Sequence, residues 1–191
     1  MLTEVVLASS SPRRTELLQL LGVLHRVYSI PIDETFNKDT SVSSNVVRLA
    51  VEKARAVAEQ VPHAWVIGAD TVVVCDQQVY GKPKDDAAAL DMLHALQGRE
   101  HEVFSGVAVL NSRTFEVQSG FRKVKVKMSS LTESDMLQYI ASREPLDKAG
   151  AYAIQGKGAR WIEWIEGDYY AVVGLPLELT SRLLVASGYI F

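Results

Sequence analysis

LASSSPRRTELLQLLG, Leu7 to Gly22, is the stretch on which the reading of this chain turns. Val5 to Ala8 read as a buried strand, Ser9 to Ser11 as a polar turn, and Thr15 to Leu21 as a short helix with leucines at 17, 18, 20 and 21. Ser11 suits the N-cap and Pro12 the first helical position. Arg13 and Arg14 then fall in the first turn, where unpaired backbone N–H groups and the helix dipole already present positive charge and usually attract Asp or Glu. Two arginines there oppose the dipole. A strand end, a hydroxyl-rich turn, a helix N-terminus and two guanidinium groups converging on one point make a cradle for phosphate oxygens. Taken alone, the same stretch is equally well read as an ordinary capped helix with solvated arginines.

Outward from this unit, the composition is that of a soluble globular protein: 191 residues, 48% hydrophobic and 23% charged. No apolar run approaches the roughly 20 residues that span a bilayer. The start, MLTEVVLASSSPRR, lacks the basic region that precedes the apolar run of a signal peptide, so a cytoplasmic protein without membrane association is expected. The single cysteine, Cys75, excludes an internal disulfide and any CxxC site, and reads as a small buried hydrophobe. Twenty basic against 23 acidic residues is too acidic a balance for gripping a nucleic-acid polymer. A small anionic ligand held by a few focused cations stays open. His25, His63, His94 and His101 are scattered, with no HxH or HExxH spacing, and read as surface or structural residues.

Further along, Val27 to Pro31 read as a strand, followed by a polar loop with Asp33 and Glu34. Ser43 or Ser44 is expected to cap a helix to about Gln60, with Val47, Ala50, Val51, Ala54, Val57 and Ala58 at helical spacing. Lys53 on that helix reads at first as solvated. Trp65 to Asp76 is a nearly continuous apolar run interrupted by Asp70 and Thr71, and a carboxylate in such a run demands a partner or a metal. A hairpin turn at Asp76 to Gln78 leads to Val79–Gly81 and Lys82, and Asp85 and Asp86 open a helix that stops at Gly98. His101 to Leu110 and Phe115 to Met128 are expected strands; Lys123, Lys125 and Lys127 alternate with valines, marking a solvated face or an edge. Thr132 and Asp135 form a capping box, Glu144 to Gly158 a glycine-containing loop with Lys148 and Gln155. Ala159–Ile165 and Tyr169–Val173 read as a hairpin, and Pro176 starts the last helix. Strands, helices and hairpins together indicate α/β or α+β with a mixed sheet.

Ser9 to Arg14, Asp70 with Thr71, Lys82, and Lys148 with Gln155 each have a structural explanation, but it must be invoked separately each time. Together they favour an anion site beside a carboxylate, as metal-assisted phosphate chemistry requires. Oxygen ligands such as Asp70, with Glu34, suit Mg²⁺ or Mn²⁺ better than zinc. GxxxxGK[ST], GxGxxG after the first strand, and GxSxG are absent from the sequence, which weighs against P-loop, dinucleotide-binding and nucleophile-elbow enzymes.

The motifs LASSSPRR, VRLAVEKA, GADTVV, GKP at Gly81 to Pro83, EPLDKAGAYAIQG and GDYYAVVGLPL closely resemble those of the Maf family of nucleotide pyrophosphatases, in order and spacing, from Leu7 to about Leu184. The resemblance implies one domain over residues 1–191. Its fold would be α/β, an elongated mixed β-sheet with flanking helices and two lobes around a central cleft, similar to inosine triphosphate pyrophosphatases. It also implies a nucleotide diphosphatase, a hydrolase of acid anhydrides, that releases pyrophosphate and a monophosphate from a nucleoside triphosphate.

Asp70 matches the family's proton acceptor. Arg13, Thr71 and Gln155 match specificity positions, and Ser9, Arg14, Glu34, Lys53 and Lys82 match further polar positions of the substrate site. The expected mechanism is attack of a metal-activated water on the α-phosphorus, with Asp70 acting either as general base or, with Glu34, as metal ligand, and Arg13, Arg14 and Lys82 stabilising phosphate charge. Ile154-Gln155-Gly156 resembles the branch acting on dTTP and UTP; the 7-methyl-GTP branch shows Ser-Glu before that glycine. Chemistry agrees, because a neutral Gln amide complements the N3–H and O4 edge of uracil and thymine. Ala153 stands where relatives often have glycine. A homodimer is also implied. The alternative expectations are a pyrophosphatase for modified or non-canonical nucleotides and, from another class, a non-catalytic nucleotide-binding regulator of cell division or septum formation.

Overall fold

In the computed structural model, residues 2–191 are described. The apolar run after Thr3 forms β1 (Glu4–Leu7), in which Val5, Val6 and Leu7 are all buried, as a strand covered on both faces requires. It runs parallel to β2 (His25–Val27) on one side and to β3 (Ala64–Cys75) on the other. With β4 (Gln78–Tyr80), β5 (Glu100–Asn111), β6 (Val117–Met128) and β7 (Ile162–Glu166), these make one seven-stranded sheet in the order β2-β1-β3-β5-β6-β7, with β4 paired to β3. Antiparallel pairing of β4 on β3 and of β7 on β6 makes the sheet mixed. The helices are α1 (Pro12–Leu20), α2 (Val42–Ala58), α3 (Asp86–Leu96), α4 (Glu133–Ala141), α5 (Tyr169–Val173) and α6 (Leu177–Ala186). The expected mixed α/β architecture is therefore observed.

Several local expectations are corrected. The second strand ends at Val27, where it was expected to begin, because Val27 stands opposite Leu7, the last residue of β1, and the ladder runs out. Helix α2 is capped by Ser41, whose Oγ accepts the Ser44 N–H at 3.1 Å, and not by Ser43 or Ser44. Its buried stripe is Val46, Leu49, Ala50, Ala54, Val57 and Ala58, with Val47 and Val51 only partly buried. In α1, Leu17 and Leu18 are buried but Leu20 is exposed, and the Ser11 side chain makes no capping bond. Tyr169–Val173 is helical because Asp168 Oδ1 accepts from the N–H groups of Tyr170 (2.9 Å) and Ala171 (3.3 Å), a cap that overrides the strand propensity of the tyrosines and valines. Glu144–Gly158 is not a plain loop but carries short 3-10 turns. Of the two readings of the β6 lysines, the edge is excluded because β6 lies between β5 and β7, while the solvated face is observed: Lys123 and Lys125 are exposed between buried Val124 and Val126, Lys123 pairs with Glu102 at 2.6 Å, and Lys127 donates to the Gly98 carbonyl at 2.9 Å.

The chain divides into two compact units, the division falling within β3, β5 and β6. The first comprises the chain up to Asp70, Ser105–Arg122 and Gly174–Phe191; part of its core is Val6, Ala8, Ala54, Val57, Val61, Val66 and Leu110. The second comprises Thr71–Phe104 and Lys123–Val173, with a core that includes Val73, Leu93, Leu96, Val126, Met128, Tyr139 and Trp161. Cys75 sits in that second core, and burial pushes its thiol pKa up, as expected of an inert small hydrophobe.

Candidate functional site

Within the first unit, the end of β1 and the start of α1 place Ser9 against Arg14: the guanidinium donates from Nη1 to Ser9 Oγ at 3.0 Å and from Nε to the Gly174 carbonyl at 2.9 Å. Ser9 is buried and Arg14 partly buried. Burial pulls the Arg14 guanidinium below its ordinary pKa, against the opposing pull of Asp70; Arg13 lowers it further and Glu34 raises it. The two arginines that break the dipole rule are thus near one another's fields and near two carboxylates. Arg14 is aimed by partners on either side of it in the fold and is not a solvated surface group.

Asp70, at 6% exposure, is the buried carboxylate in the apolar run of β3. Its partner is Lys53 on α2, whose Nζ donates to Asp70 Oδ1 at 2.7 Å. The same ammonium lies 3.0 Å from Glu34 Oε1, so one cation bridges two carboxylates from a strand and a loop. The Glu34 loop is tied to α2 by two residues that sequence reading missed. Asn45, buried on the apolar face of the helix, accepts from the Asn37 N–H at 2.8 Å and donates to the Asn37 carbonyl at 2.9 Å. Arg48 donates to the Thr35 carbonyl at 2.7 Å. An asparagine inside an otherwise apolar helical stripe was the available signal.

Ser9, Arg13, Arg14, Glu34, Lys53 and Asp70 therefore belong to the first unit, while Thr71, Lys82 and Gln155 belong to the second. Thr71 is partly exposed in β3 and Lys82 exposed after β4. Gln155 is partly exposed, and its side chain does not cap the 3-10 turn, Gly156–Trp161, that it precedes. Lys148 is engaged locally, donating to the Glu144 carbonyl at 3.0 Å and pairing with Asp147, which explains it without a ligand.

Among the described residues no group of three or more His, Cys, Asp or Glu side chains is arranged to hold a metal. The carboxylates of Glu34 and Asp70 nevertheless fit a hard divalent cation, which is commonly held by one or two carboxylates together with substrate phosphate oxygens. No helix among the described residues is long and apolar enough to cross a membrane.

Relatives match over nearly the whole chain. A protein of Geobacillus sp. (strain WCH70), named dTTP/UTP pyrophosphatase, is 46% identical over 188 residues, 97% of this chain and 99% of that protein. A protein of Dictyoglomus thermophilum with the same name is 47% identical over 187 residues, 97% of each chain. Among solved structures, the Staphylococcus aureus Ham1 protein aligns with a TM-score of 0.48 at 15% identity, covering 95% of this chain and 89% of that one. A family model described as Maf-like protein matches residues 4–187, and with these full-length relatives it shows that the chain belongs to the Maf family.

Proposed function

We propose that this chain is a cytoplasmic nucleoside triphosphate pyrophosphatase, a single Maf-like domain acting on dTTP and UTP as a homodimer and using Mg²⁺ or Mn²⁺. The observation that carries the reading is the buried Asp70 paired with Lys53, which also pairs with Glu34, in the same unit as the Ser9–Arg14 cradle. Binding alone does not call for a buried carboxylate beside a triphosphate, whose charge it repels. Hydrolysis does, because a water must be oriented and relieved of a proton. The names of the full-length relatives support the same activity and substrates.

In this mechanism Asp70 orients a water toward the α-phosphorus and takes its proton as the new P–O bond forms. The bond from the α-phosphorus to the bridging oxygen breaks, and pyrophosphate leaves. Arg13, Arg14 and Lys82 stabilise the negative charge that grows on the phosphate oxygens. Arg14 is held for this by Ser9 and the Gly174 carbonyl. Lys53 holds Asp70 in place through its 2.7 Å contact with Oδ1, and Ser9 adds a hydroxyl to the cradle. Glu34 and Asp70 would hold a divalent cation, which when bound would supply neutralisation of phosphate charge and a more acidic water. Thr71 and Gln155 select the base, the Gln155 amide pairing with the N3–H and O4 edge.

The test is pyrophosphate release with Mg²⁺ from dTTP, UTP, CTP and 7-methyl-GTP. Turnover of dTTP and UTP is expected, falling by about 10²–10⁴-fold in Asp70→Asn. Turnover of 7-methyl-GTP alone overturns the base assignment. Nucleotide binding without turnover, unchanged in Asp70→Asn, overturns the enzyme reading in favour of a regulator.

A further inference from the structure

Gln155 sits in a stretch whose two ends are tied to the same pair of side chains. On its N-terminal side, the Ala153 N–H donates to the Tyr139 hydroxyl at 3.1 Å. That hydroxyl donates to Glu144 Oε1 at 2.9 Å. On its C-terminal side, the Gly158 N–H donates to the same Oε1 at 3.2 Å, and the Lys157 N–H donates to Oε2 at 3.1 Å. Tyr139 is 2% exposed, on α4. The contact with Glu144 is close: Gly156 has φ +75°, and a Cβ there would lie 2.8 and 2.9 Å from the two carboxylate oxygens. Burial pushes the Glu144 carboxyl pKa up, but the Lys157 and Gly158 N–H groups, the Tyr139 hydroxyl and Lys148 outweigh it and hold the group below its ordinary value.

We infer that Glu144 and Tyr139 are positioning residues for base selection, clamping the Ala153–Gly158 segment so that the Gln155 amide meets the base in one orientation. The inference rests on the reading of Gln155 as the base-selecting residue. Three donors converge on Glu144, so the position needs an acceptor-only group; a Gln amide would turn its own NH₂ toward one of the N–H donors. Uracil and cytosine differ at position 4 by exchange of an acceptor for a donor, and at N3 by the reverse. An amide free to rotate or shift accepts either base, whereas a held one rejects cytosine by leaving buried polar groups unpaired. Neither Tyr139 nor Glu144 is among the residues assigned to the phosphates. Loss of the clamp therefore alters KM and discrimination more than kcat.

The experiment compares kcat and KM for UTP and CTP in the wild type, Glu144→Gln, Tyr139→Phe, Gln155→Ala and Thr132→Ala. The last removes the capping box of α4 without touching the clamp and serves as a matched destabilisation. Amide hydrogen exchange over residues 153–158 is measured in parallel. The expected result is a UTP-over-CTP preference in kcat/KM that falls about tenfold in Glu144→Gln and less in Tyr139→Phe, mainly through KM. Exchange should quicken in that segment alone, and Thr132→Ala should keep the preference. If the wild type and Thr132→Ala prefer UTP, Gln155→Ala does not, and both clamp variants keep the preference, the positioning role is overturned while Gln155 stands. An equal fall of the preference in Thr132→Ala overturns it as general loosening. A wild type indifferent between the bases, or a Gln155→Ala that still discriminates, overturns the base-reading assignment and this inference with it.

Discussion

A carboxylate buried to the extent of Asp70 survives because Lys53 is buried with it, their side chains 8% and 13% exposed. Removing one partner of such a pair leaves an uncompensated charge, whereas removing both leaves none. Lys53→Met is accordingly expected to lower stability by about 3 kcal/mol at pH 7. Adding Asp70→Asn to it should restore part of the loss, both read from urea midpoints. Asp70 was legible because it interrupts an apolar run. Lys53 was not legible from spacing alone: on α2 it resembles any solvated helix lysine, and only the resemblance to a family singled it out. Arg14 was legible as an offence against the helix dipole, but its partner, the Gly174 carbonyl, lies 160 residues away.

Among the elements, the packing of α2 on β3 depends on a single small residue. A Cβ on Gly68 in β3 would lie 2.0 Å from the Ala50 carbonyl oxygen and 2.8 Å from the Ala54 nitrogen, both backbone atoms of α2. Neither atom can yield without moving the helix that carries Lys53. Gly68→Ala should cost about 3 kcal/mol or more, seen as a large fall in Tm, and should lower activity even in the fraction that folds. The run WVIGADTVVVC announced a buried strand but not this close approach, because a glycine in a strand has several structural meanings. The reverse failure is α5, where strand-prone Tyr169–Val173 became helix through an Asp168 cap. Thr132 and Asp135, by contrast, form the capping box that their spacing announced.

Across the whole molecule, stability against acid is governed in part by groups buried in the second unit. Burial pushes His101 down to a pKa of about 4, against the backbone carbonyl of Arg99, while its Nε2 lies 2.7 Å from the Tyr152 hydroxyl. The unfolded chain binds a proton at this residue below its ordinary pKa near 6.5, and the folded chain does not until pH 4. The contribution is complete above about pH 6.5 and declines as pH falls, by at most about 3 kcal/mol near pH 4. His101→Gln, which keeps an acceptor for Tyr152, should flatten the urea midpoint between those pH values. The depressed Glu144 carboxyl adds a loss of the same sign at lower pH, as it is protonated.

What the sequence determined by itself is local or chemical. The strand–turn–helix at Leu7–Gly22, the mixed α/β pattern, the caps at Asp85 and Thr132, and the phosphate-seeking residue types follow from neighbours within a few positions. The tertiary structure decided what depends on distant partners. It brought Lys53 between Asp70 and Glu34, ended β2 where β1 ends, put β6 in the interior of the sheet, and closed Tyr139 and Glu144 around the segment that carries Gln155. The physical reason is reach: a cap is satisfied within one turn of chain, but a buried charge or a crowded carboxylate takes its partners from whichever segments the packing of the core brings into contact.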